Sequence, residues 1–312
     1  MGAMYLNFLI LSDLFTNGNV RGEGSTGGAE IQVVDGLSVL TGVAISHSWR
    51  VAIAELIGWP RMFRKHGVTD SASGYGYGPK NEPLSAVAAQ MEDTGNFLKF
   101  IDVYFGAMLA GKGEKAFSRR SSIYKGLSFS TTPFGGDRLM QQGHKGNGDL
   151  VPFHVPMHLT RYVTPYTINL ADFLDHPEYI YILIMSAVRG FPVGGNQTNL
   201  RNLLKPAVCL WRTHKDHGSG LTALGYMTPK VNESPNIDFF IRQAIRHNTP
   251  FQAHGDFTHT VDLPESMADL NSGTTIPFNQ TVEAIFADSM AMMGLDAAKV
   301  RSDARKMLRE GV

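Results

Sequence analysis

The sequence predicts an α+β fold, a ferredoxin-like sheet of the RRM type that carries long insertions. The main evidence is the order of elements, which runs strand, helix, insertion, strand, hairpin, strand, helix, strand. Tyr5–Ser12 is a short continuous apolar run, which predicts a buried central strand, and Ala207–Thr213 is predicted to be a strand. Pro177–Val188 is apolar nearly all round, with Gly190 past its end, which is typical of a buried helix packed on a sheet.

The first third of the chain should supply the central strand and the first helix. A loop rich in Gly and Asn, Thr16–Gly28, follows the strand Tyr5–Ser12, and the β-branched segment Glu30–Leu40 is predicted to be extended. The helix is predicted to start at Ser46–Ser48, whose hydroxyls can cap its first amides, and to stop at Gly58. Its apolar positions, which should face the core, are Trp49, Ala52, Ile53, Leu56 and Ile57.

The middle of the chain is predicted to leave the sheet and then return to it. Arg61–Lys125 has the character of an insertion, with a helix at about Ala86–Leu109. Pro133–His158 is Gly-rich and resembles a protruding hairpin, and Pro165 in the strand Arg161–Leu170 favours an edge or a bulge. The remaining predicted elements are the strand Gly126–Thr131 and the helices Ile237–His247, Val282–Met293 and Ala297–Arg309.

Composition limits the classes of function. The 312 residues include 28 basic and 28 acidic side chains, so a free-standing, non-specific nucleic-acid binder is disfavoured, although one groove can still concentrate positive charge. Two basic clusters, within residues 112–125 and 299–309, are read as solvated helix faces. A single cysteine, Cys209, excludes disulfides within the chain. With no apolar run of about eighteen residues and no signal peptide, a cytoplasmic location is expected.

Two polar segments interrupt otherwise apolar elements. Ile45–Arg50, with the sequence Ile-Ser-His-Ser-Trp-Arg, opens the first helix, and its amides, hydroxyls and guanidinium suit contact with a phosphate. Gly194–Arg201, with the sequence Gly-Gly-Asn-Gln-Thr-Asn-Leu-Arg, closes the second helix, and its glycines allow the backbone to approach a ligand closely. Binding groups collect on such turns, but plain N-capping and a plain connecting turn are the alternatives.

With the strand Tyr5–Ser12 before them, these segments resemble a CRISPR-associated family, the DevR-type backbone RAMP subunits of Cascade-type effector complexes. Ser46, Trp49 and Arg50 match the family's Ser-Gln-Ala-Trp-Arg-like helix start, and Gly194–Asn199 matches its Gly-Gly-x-Gln-x-Asn turn. His47, Ile45 and Asn196 depart from the residues common there. The resemblance implies the first part of an RRM-like palm in residues 1–60, a helical fingers insertion in 61–125, a palm strand and thumb hairpin in 126–160, and the rest of the palm with C-terminal helices in 161–312.

The resemblance also implies a function and a set of binding residues. The chain would be a non-enzymatic subunit without a cofactor. Its copies would stack head-to-tail along the guide RNA (crRNA), with other effector subunits, and would present the guide for pairing with target DNA. The loop after the first strand would lie near the guide backbone, and apolar thumb residues would wedge between bases. The residues implied in RNA binding are Asn17, Asn19, Arg21, Ser46, His47, Ser48, Arg50, Arg138, Leu139, Met140, Gly194, Gly195, Asn196, Gln197, Thr198, Asn199 and Arg201.

Two nuclease hypotheses compete with the structural one. A metal-dependent ribonuclease acting on target RNA would need a carboxylate near the first strand, for which Glu23, Glu30 and Asp35 are the local candidates. A guide-processing endonuclease of the same superfamily would use a histidine such as His47 as general base.

Two further site types are disfavoured. The segment Gly22–Gly27 satisfies G-x-G-x-x-G, but it does not join a strand directly to a helix, so a dinucleotide site is not expected. The histidines do not form a zinc pattern. The groups closest to one are His154 with His158, His214 with His217, and His254 with Asp256 and His259.

Overall fold

The computed structural model describes residues 2–17, 20–21, 30–57, 101–109, 117–136, 138–144, 150–193, 203–204, 206–215, 252–255 and 278–309. The strands are β1 (Tyr5–Ser12), β2 (Phe15–Asn17), β3 (Val20–Arg21), β4 (Glu30–Ile31), β5 (Val33–Val34), β6 (Leu37–Leu40), β7 (Ala107–Leu109), β8 (Phe117–Arg119), β9 (Ile123–Lys125), β10 (Ser128–Pro133), β11 (Arg138–His144), β12 (Leu150–Pro156), β13 (His158–Thr160), β14 (Tyr162–Asn169), β15 (Phe191–Pro192), β16 (Leu203–Leu204), β17 (Pro206–His214) and β18 (Gln252–Gly255). The α-helices are α1 (Gly42–Ile57), α2 (Glu178–Arg189), α3 (Phe278–Met293) and α4 (Ala297–Arg309), and short 3-10 helices span Ile101–Phe105 and Leu170–Phe173.

The main sheet has eight strands in the order β18-β17-β1-β14-β10-β6-β5, with β9 also paired to β14. All its pairings are antiparallel. Helix α1 follows β1 in the chain and α2 follows β14, so β17, β1, β14 and the β9–β10 pair occupy the four strand positions of a ferredoxin-like sheet. This arrangement confirms the predicted α+β, ferredoxin-like fold.

The core lies between this sheet and the helices. Every other residue of β1 (Leu6, Phe8, Ile10) belongs to the main cluster of buried side chains, as the alternation of a strand requires. Trp49 of α1 is fully buried among the rings of Phe8, Phe105, Tyr166 and Phe191. The prediction that Trp49 is a core residue is therefore confirmed. Cys209 of β17 is buried as well.

Pro165 sits in a central strand at a place where its missing N–H costs nothing. On one side of β14, Pro165 lies opposite Leu9 of β1. On the other side the partner strand is interrupted, because the pairing of β14 with β10 extends only to Val163 and its pairing with β9 begins at Tyr166. The amide of Gly126, in the connection between β9 and β10, donates to the carbonyl of Pro165 at 3.3 Å. The predicted irregularity at this proline is thus a break in the neighbouring strand, not an edge position.

Several predicted elements agree with the structure and others differ. β1 is central and matches its predicted range, α2 differs from its prediction by one residue at each end, and Pro133–His158 contains the β11–β12 hairpin. The last part of the predicted helix Ala86–Leu109 is wrong. A 3-10 helix ends there at Phe105, and Gly106, with a φ of +93°, turns the chain into strand β7.

Other predictions fall wholly or partly outside the described residues. The rest of the predicted helix Ala86–Leu109 and the helix Ile237–His247 lie outside them. Residues 58–100 and 110–116 also lie outside the described residues, so the domain boundaries stay predictions. At the end of the predicted fingers segment, Ile123–Lys125 pairs with β14. In the described ranges, no helix combines the length and apolarity needed to cross a bilayer.

Candidate nucleic-acid interface

Helix α1 begins four residues earlier than predicted. Its first residue is Gly42, and the hydroxyl of Thr41 accepts a hydrogen bond of 3.3 Å from the amide of Ala44. Ser46 lies in the second turn, where its hydroxyl donates to the carbonyl of Gly42 at 2.6 Å. The prediction that Ser46–Ser48 form the helix start is therefore wrong. A threonine followed by Gly-Val-Ala was the N-cap signal that sequence reasoning missed.

The predicted polar residues of α1 nevertheless lie away from the core. Ile45, Trp49 and Ile53 are buried, whereas His47 is exposed and Ser46, Ser48 and Arg50 are half-buried. Ser46 and Arg50 are four residues apart, and His47 and Arg50 are three apart, so these side chains neighbour one another on the helix surface. The structure thus brings Ser46, His47 and Arg50 together on one polar side of α1.

The start of α1 packs closely against the end of β9. A Cβ atom added to Gly42 would lie 3.0 Å from the carbonyl oxygen of Lys125, which is closer than side chains normally approach a backbone. This close approach forms a concave surface at the helix start. Its lining residues are Gly42, Val43, Ser46, Phe105, Ser121, Ile123, Tyr124, Lys125, Gly126, Pro165 and Thr167.

Lys125 is the basic side chain of this concave surface. Its Nζ lies 4.8 Å from the ring centroid of Phe105, a cation–π distance. Burial, and then the positive charge of Arg50, lower the pKa of Lys125 to about 7. The side chain of His47 is exposed overall, but partial burial of its ring, and then the charge of Arg50, lower its pKa as well. None of the residues lining this concave surface carries a carboxylate. A bound anion would therefore lower the electrostatic repulsion between Lys125 and Arg50.

We name Ser46, His47, Arg50 and Lys125, with the start of α1, the α1–β9 surface. Its basic groups and helix-start amides can hold a phosphate without reading a base, whereas the proton of the Ser46 hydroxyl is donated to the carbonyl of Gly42. Sequence reasoning placed Lys125 in a solvated cluster, since the long-range pairing of β9 with β14 cannot be read from local sequence.

The other predicted RNA-binding residues are placed only in part. Asn17 lies in β2 opposite His158, Arg21 lies in β3 opposite Glu30, and Arg138–Met140 begin the β11–β12 hairpin. The side chains of these residues lie outside the described part of the structure, as do Asn19 and the whole turn Gly194–Arg201. Their contacts with RNA stay predictions.

The histidines that raised a metal hypothesis are partly accounted for by hydrogen bonds. His158 is buried, and its two ring nitrogens lie 2.7 Å from the hydroxyl of Ser38 and 3.2 Å from that of Thr132. His214 is 2.9 Å from the amide nitrogen of Asn7 and stacks on the ring of Tyr5. Among the described residues, no three potential ligands come together as a metal site would need.

Asp35, a candidate carboxylate for the ribonuclease hypothesis, occupies a hairpin turn. It joins β5 to β6 with Gly36, and both residues have positive φ, of 50° and 78°. Asp-Gly is a preferred pair for such a two-residue turn, so local backbone geometry is sufficient to explain Asp35. Glu23 and the side chain of Glu30 lie outside the described residues.

Comparisons with known proteins bear on the fold. No protein-family model and no curated protein matches this sequence. Among solved structures, a chain of a "CRISPR RNA-guided surveillance complex, pre-nicking" matches with a TM-score of 0.55 and 10% identity, covering 91% of this chain and 100% of that chain. A chain of a "CRISPR RNA-guided surveillance complex" matches with a TM-score of 0.50 and 13% identity, covering 91% and 98%. At these identities the likeness shows a shared fold, and it extends over nearly the whole of both chains.

Proposed function

We propose that this protein is a structural, RNA-binding subunit of a CRISPR ribonucleoprotein effector complex. The observation that carries the proposal is the α1–β9 surface, a cluster of basic side chains where the first turns of α1 pack on β9. It occurs in a fold that this chain shares with chains of RNA-guided surveillance complexes. Its ligand would be the sugar–phosphate backbone of a guide RNA.

The chemistry of the surface favours the backbone of the guide over its bases. Arg50 and Lys125 provide charge and the start of α1 provides backbone amides, and these groups do not distinguish one base from another. A subunit of this kind leaves the base edges free, so that specificity comes from pairing between the guide and target DNA. Binding through a local cluster of positive charge is also compatible with a chain whose net charge is zero.

Several copies would lie head-to-tail along one guide, together with other effector subunits. A head-to-tail contact that does not close on itself gives a helical filament, whose length the RNA would limit. The thumb residues Arg138, Leu139 and Met140 begin a hairpin that, in the described residues, pairs with no strand of the main sheet. In this proposal they separate guide bases at regular intervals.

Co-expression with the cognate guide tests the proposal. The unmutated protein is expected to co-purify with RNA in a particle much larger than a monomer. Arg50→Gln with Lys125→Gln should reduce the RNA that co-purifies, whereas Arg189→Gln with Lys215→Gln, which removes the same charge at exposed positions elsewhere, should not. A monodisperse, RNA-free monomer from the unmutated protein would contradict the proposed function.

We further propose that the subunit does not cleave RNA. The turn geometry of Asp35 supports a structural reading of that residue. Incubation with a complementary RNA and Mg²⁺, and separately with precursor guide RNA, tests this part. We expect no cleavage in either. Magnesium-dependent cleavage that disappears in Asp35→Ala or Glu23→Ala would instead identify a ribonuclease, and precursor cleavage lost in His47→Ala would identify a processing enzyme.

A further inference from the structure

The C-terminal helix α4 carries a basic face that the proposed function does not use. The helix contains five basic residues and one acidic residue, although the whole chain has no net charge. Ser302, Arg305, Lys306 and Arg309 are exposed, and Arg301 is half-buried beside them. With Ala298 these residues line one concave surface, which shares no lining residue with the α1–β9 surface. We name this second surface the α4 face.

The position of the α4 face is fixed by the apolar side of the same helix. Val300 and Ala304 are buried, and Met307 and Leu308 pack partly against the core. The residues of the α4 face follow these apolar positions by about one residue, which rotates them by about 100° around a helix of 3.6 residues per turn. The basic side chains therefore form a continuous stripe beside the buried one, about 16 Å long from Ala298 to Arg309.

A carboxylate beneath the stripe orients two of its arginines. Glu283 of α3 accepts hydrogen bonds from Arg301 at 2.9 Å and from Arg305 at 3.2 Å, and a third from the hydroxyl of Tyr181 at 3.2 Å. One carboxylate neutralises only one of the two guanidiniums. Glu283 thus holds the pair in place, and even when Asp303 of α4 is counted with it, the four basic side chains of the face outnumber the two carboxylates.

Helix stability alone does not explain this pattern. Basic residues in the last turn, Lys306 and Arg309, interact favourably with the helix dipole. Arg301 and Arg305 lie earlier in the helix, where that effect has faded, and Ser302 adds a hydroxyl between them. A row of guanidiniums and ammonium groups with a hydroxyl matches a row of phosphates. Over about 16 Å, one strand of a duplex presents about five phosphates.

We propose that the α4 face is a second nucleic-acid binding site, which holds the sugar–phosphate backbone of a strand other than one bound at the α1–β9 surface. The ligand class is a single- or double-stranded nucleic-acid backbone, recognised by charge and without base reading. The proposal does not depend on the guide role of the α1–β9 surface.

Binding titrations of the full chain test the second site. The probes are a fluorescent 30-nucleotide oligo-dT strand and a 30-base-pair DNA duplex, each titrated at several salt concentrations. Lys306→Gln with Arg309→Gln should weaken binding of at least one probe about tenfold and lower the salt slope by about 1.4 for the single strand or about 1.8 for the duplex. The matched control is Arg189→Gln with Lys215→Gln, which removes two exposed charges elsewhere.

The outcomes distinguish a binding site on α4 from a general effect of net charge. A loss in the α4 variant with the control unchanged supports the second site, and the probe that is affected identifies the kind of strand. Equal losses in both variants would mean a net-charge effect and would overturn the proposal. It would also be overturned if the unmutated protein bound neither probe but bound an acidic peptide such as poly-glutamate, or if the α4 variant lost guide RNA and kept DNA.

Discussion

The indole nitrogen of Trp49 donates a hydrogen bond of 2.6 Å to the hydroxyl of Ser186. Both side chains are buried, and the bond joins α1, which carries the candidate interface, to α2 in the centre of the helical layer. The hydroxyl of Ser186 in turn donates to the carbonyl of Leu183 at 2.9 Å. The position of α1 relative to the sheet thus depends on a satisfied polar contact as well as on the surrounding rings.

Ser186→Ala should destabilise the protein by about 1–3 kcal/mol, because it leaves the buried indole N–H without its partner. Urea denaturation measures the change in the free energy of unfolding. Ser302→Ala, at an exposed position in α4, is the matched control and should change it by less than about 0.5 kcal/mol. A Ser186 variant as stable as this control would show that the hydrogen bond does not hold α1 in place.

The close approach at Gly42 gives a second prediction. Gly42→Val places a branched side chain where even a Cβ would lie 3.0 Å from the Lys125 carbonyl, so α1 must shift away from β9. We expect a loss of about 1–3 kcal/mol in unfolding free energy and weaker RNA binding. Val43→Ala, at the neighbouring exposed position, should affect stability little. If Gly42→Val keeps both stability and affinity, the packing of α1 on β9 does not shape the interface.

The ferredoxin-like order of strands followed from local patterns, but the position of Lys125 did not. Strand β1 and helix α2 are continuous apolar segments, and their composition alone predicts that they are buried. Lys125 lies in a three-residue strand whose partners are more than forty residues away in sequence. Its partial burial and its proximity to α1 arise from that pairing. A charge cluster read along the sequence therefore suggested only a solvated surface.

The start of α1 illustrates a second limit of sequence reading. Two serines near an apolar run resemble a cap, yet Thr41 provides the cap and Ser46 bonds to a carbonyl within the helix. Hydroxyl residues serve either role, and the choice depends on where the preceding strand ends. Strand β6 ends at Leu40, which places the first helical turn at Gly42.

The lowered pKa of Lys125 predicts that RNA binding depends on pH. In the free protein Lys125 loses its proton as the pH rises through about 7. A bound phosphate favours the charged form, so binding takes up a proton and affinity should fall about tenfold between pH 6.5 and 8.5. Arg50 stays charged over this range. Burial and the charge of Arg50 lower the pKa of His47 from 6.5, so its share of the dependence should be smaller than that of Lys125 over this range.

Titrations at the two pH values, at constant ionic strength, measure this dependence. Lys125→Arg keeps the positive charge and should remove most of the pH effect, whereas His47→Gln should remove only a smaller part of it. If the unmutated protein and Lys125→Arg show the same pH profile, Lys125 does not contact the RNA backbone.

In the proposed function, the protein would hold a guide RNA through its phosphates and sugars. If phosphate and sugar contacts dominate, affinity should be nearly the same for two unrelated guide sequences and should fall steeply as salt increases. Arg50→Gln or Arg201→Gln should each lower the salt slope by about one contact without creating a sequence preference, and Arg120→Gln, at an exposed position, should not.

Leu139→Ser with Met140→Ser should act differently, because apolar wedges separate bases and do not neutralise phosphates. We expect the salt-dependent affinity to persist while the regular spacing of guide bases, measured by chemical probing of the bound RNA, is lost. A strong preference for one guide, or an unchanged salt slope in both arginine variants, would contradict binding through the sugar–phosphate backbone. Such binding requires positive charge and does not depend on the base sequence.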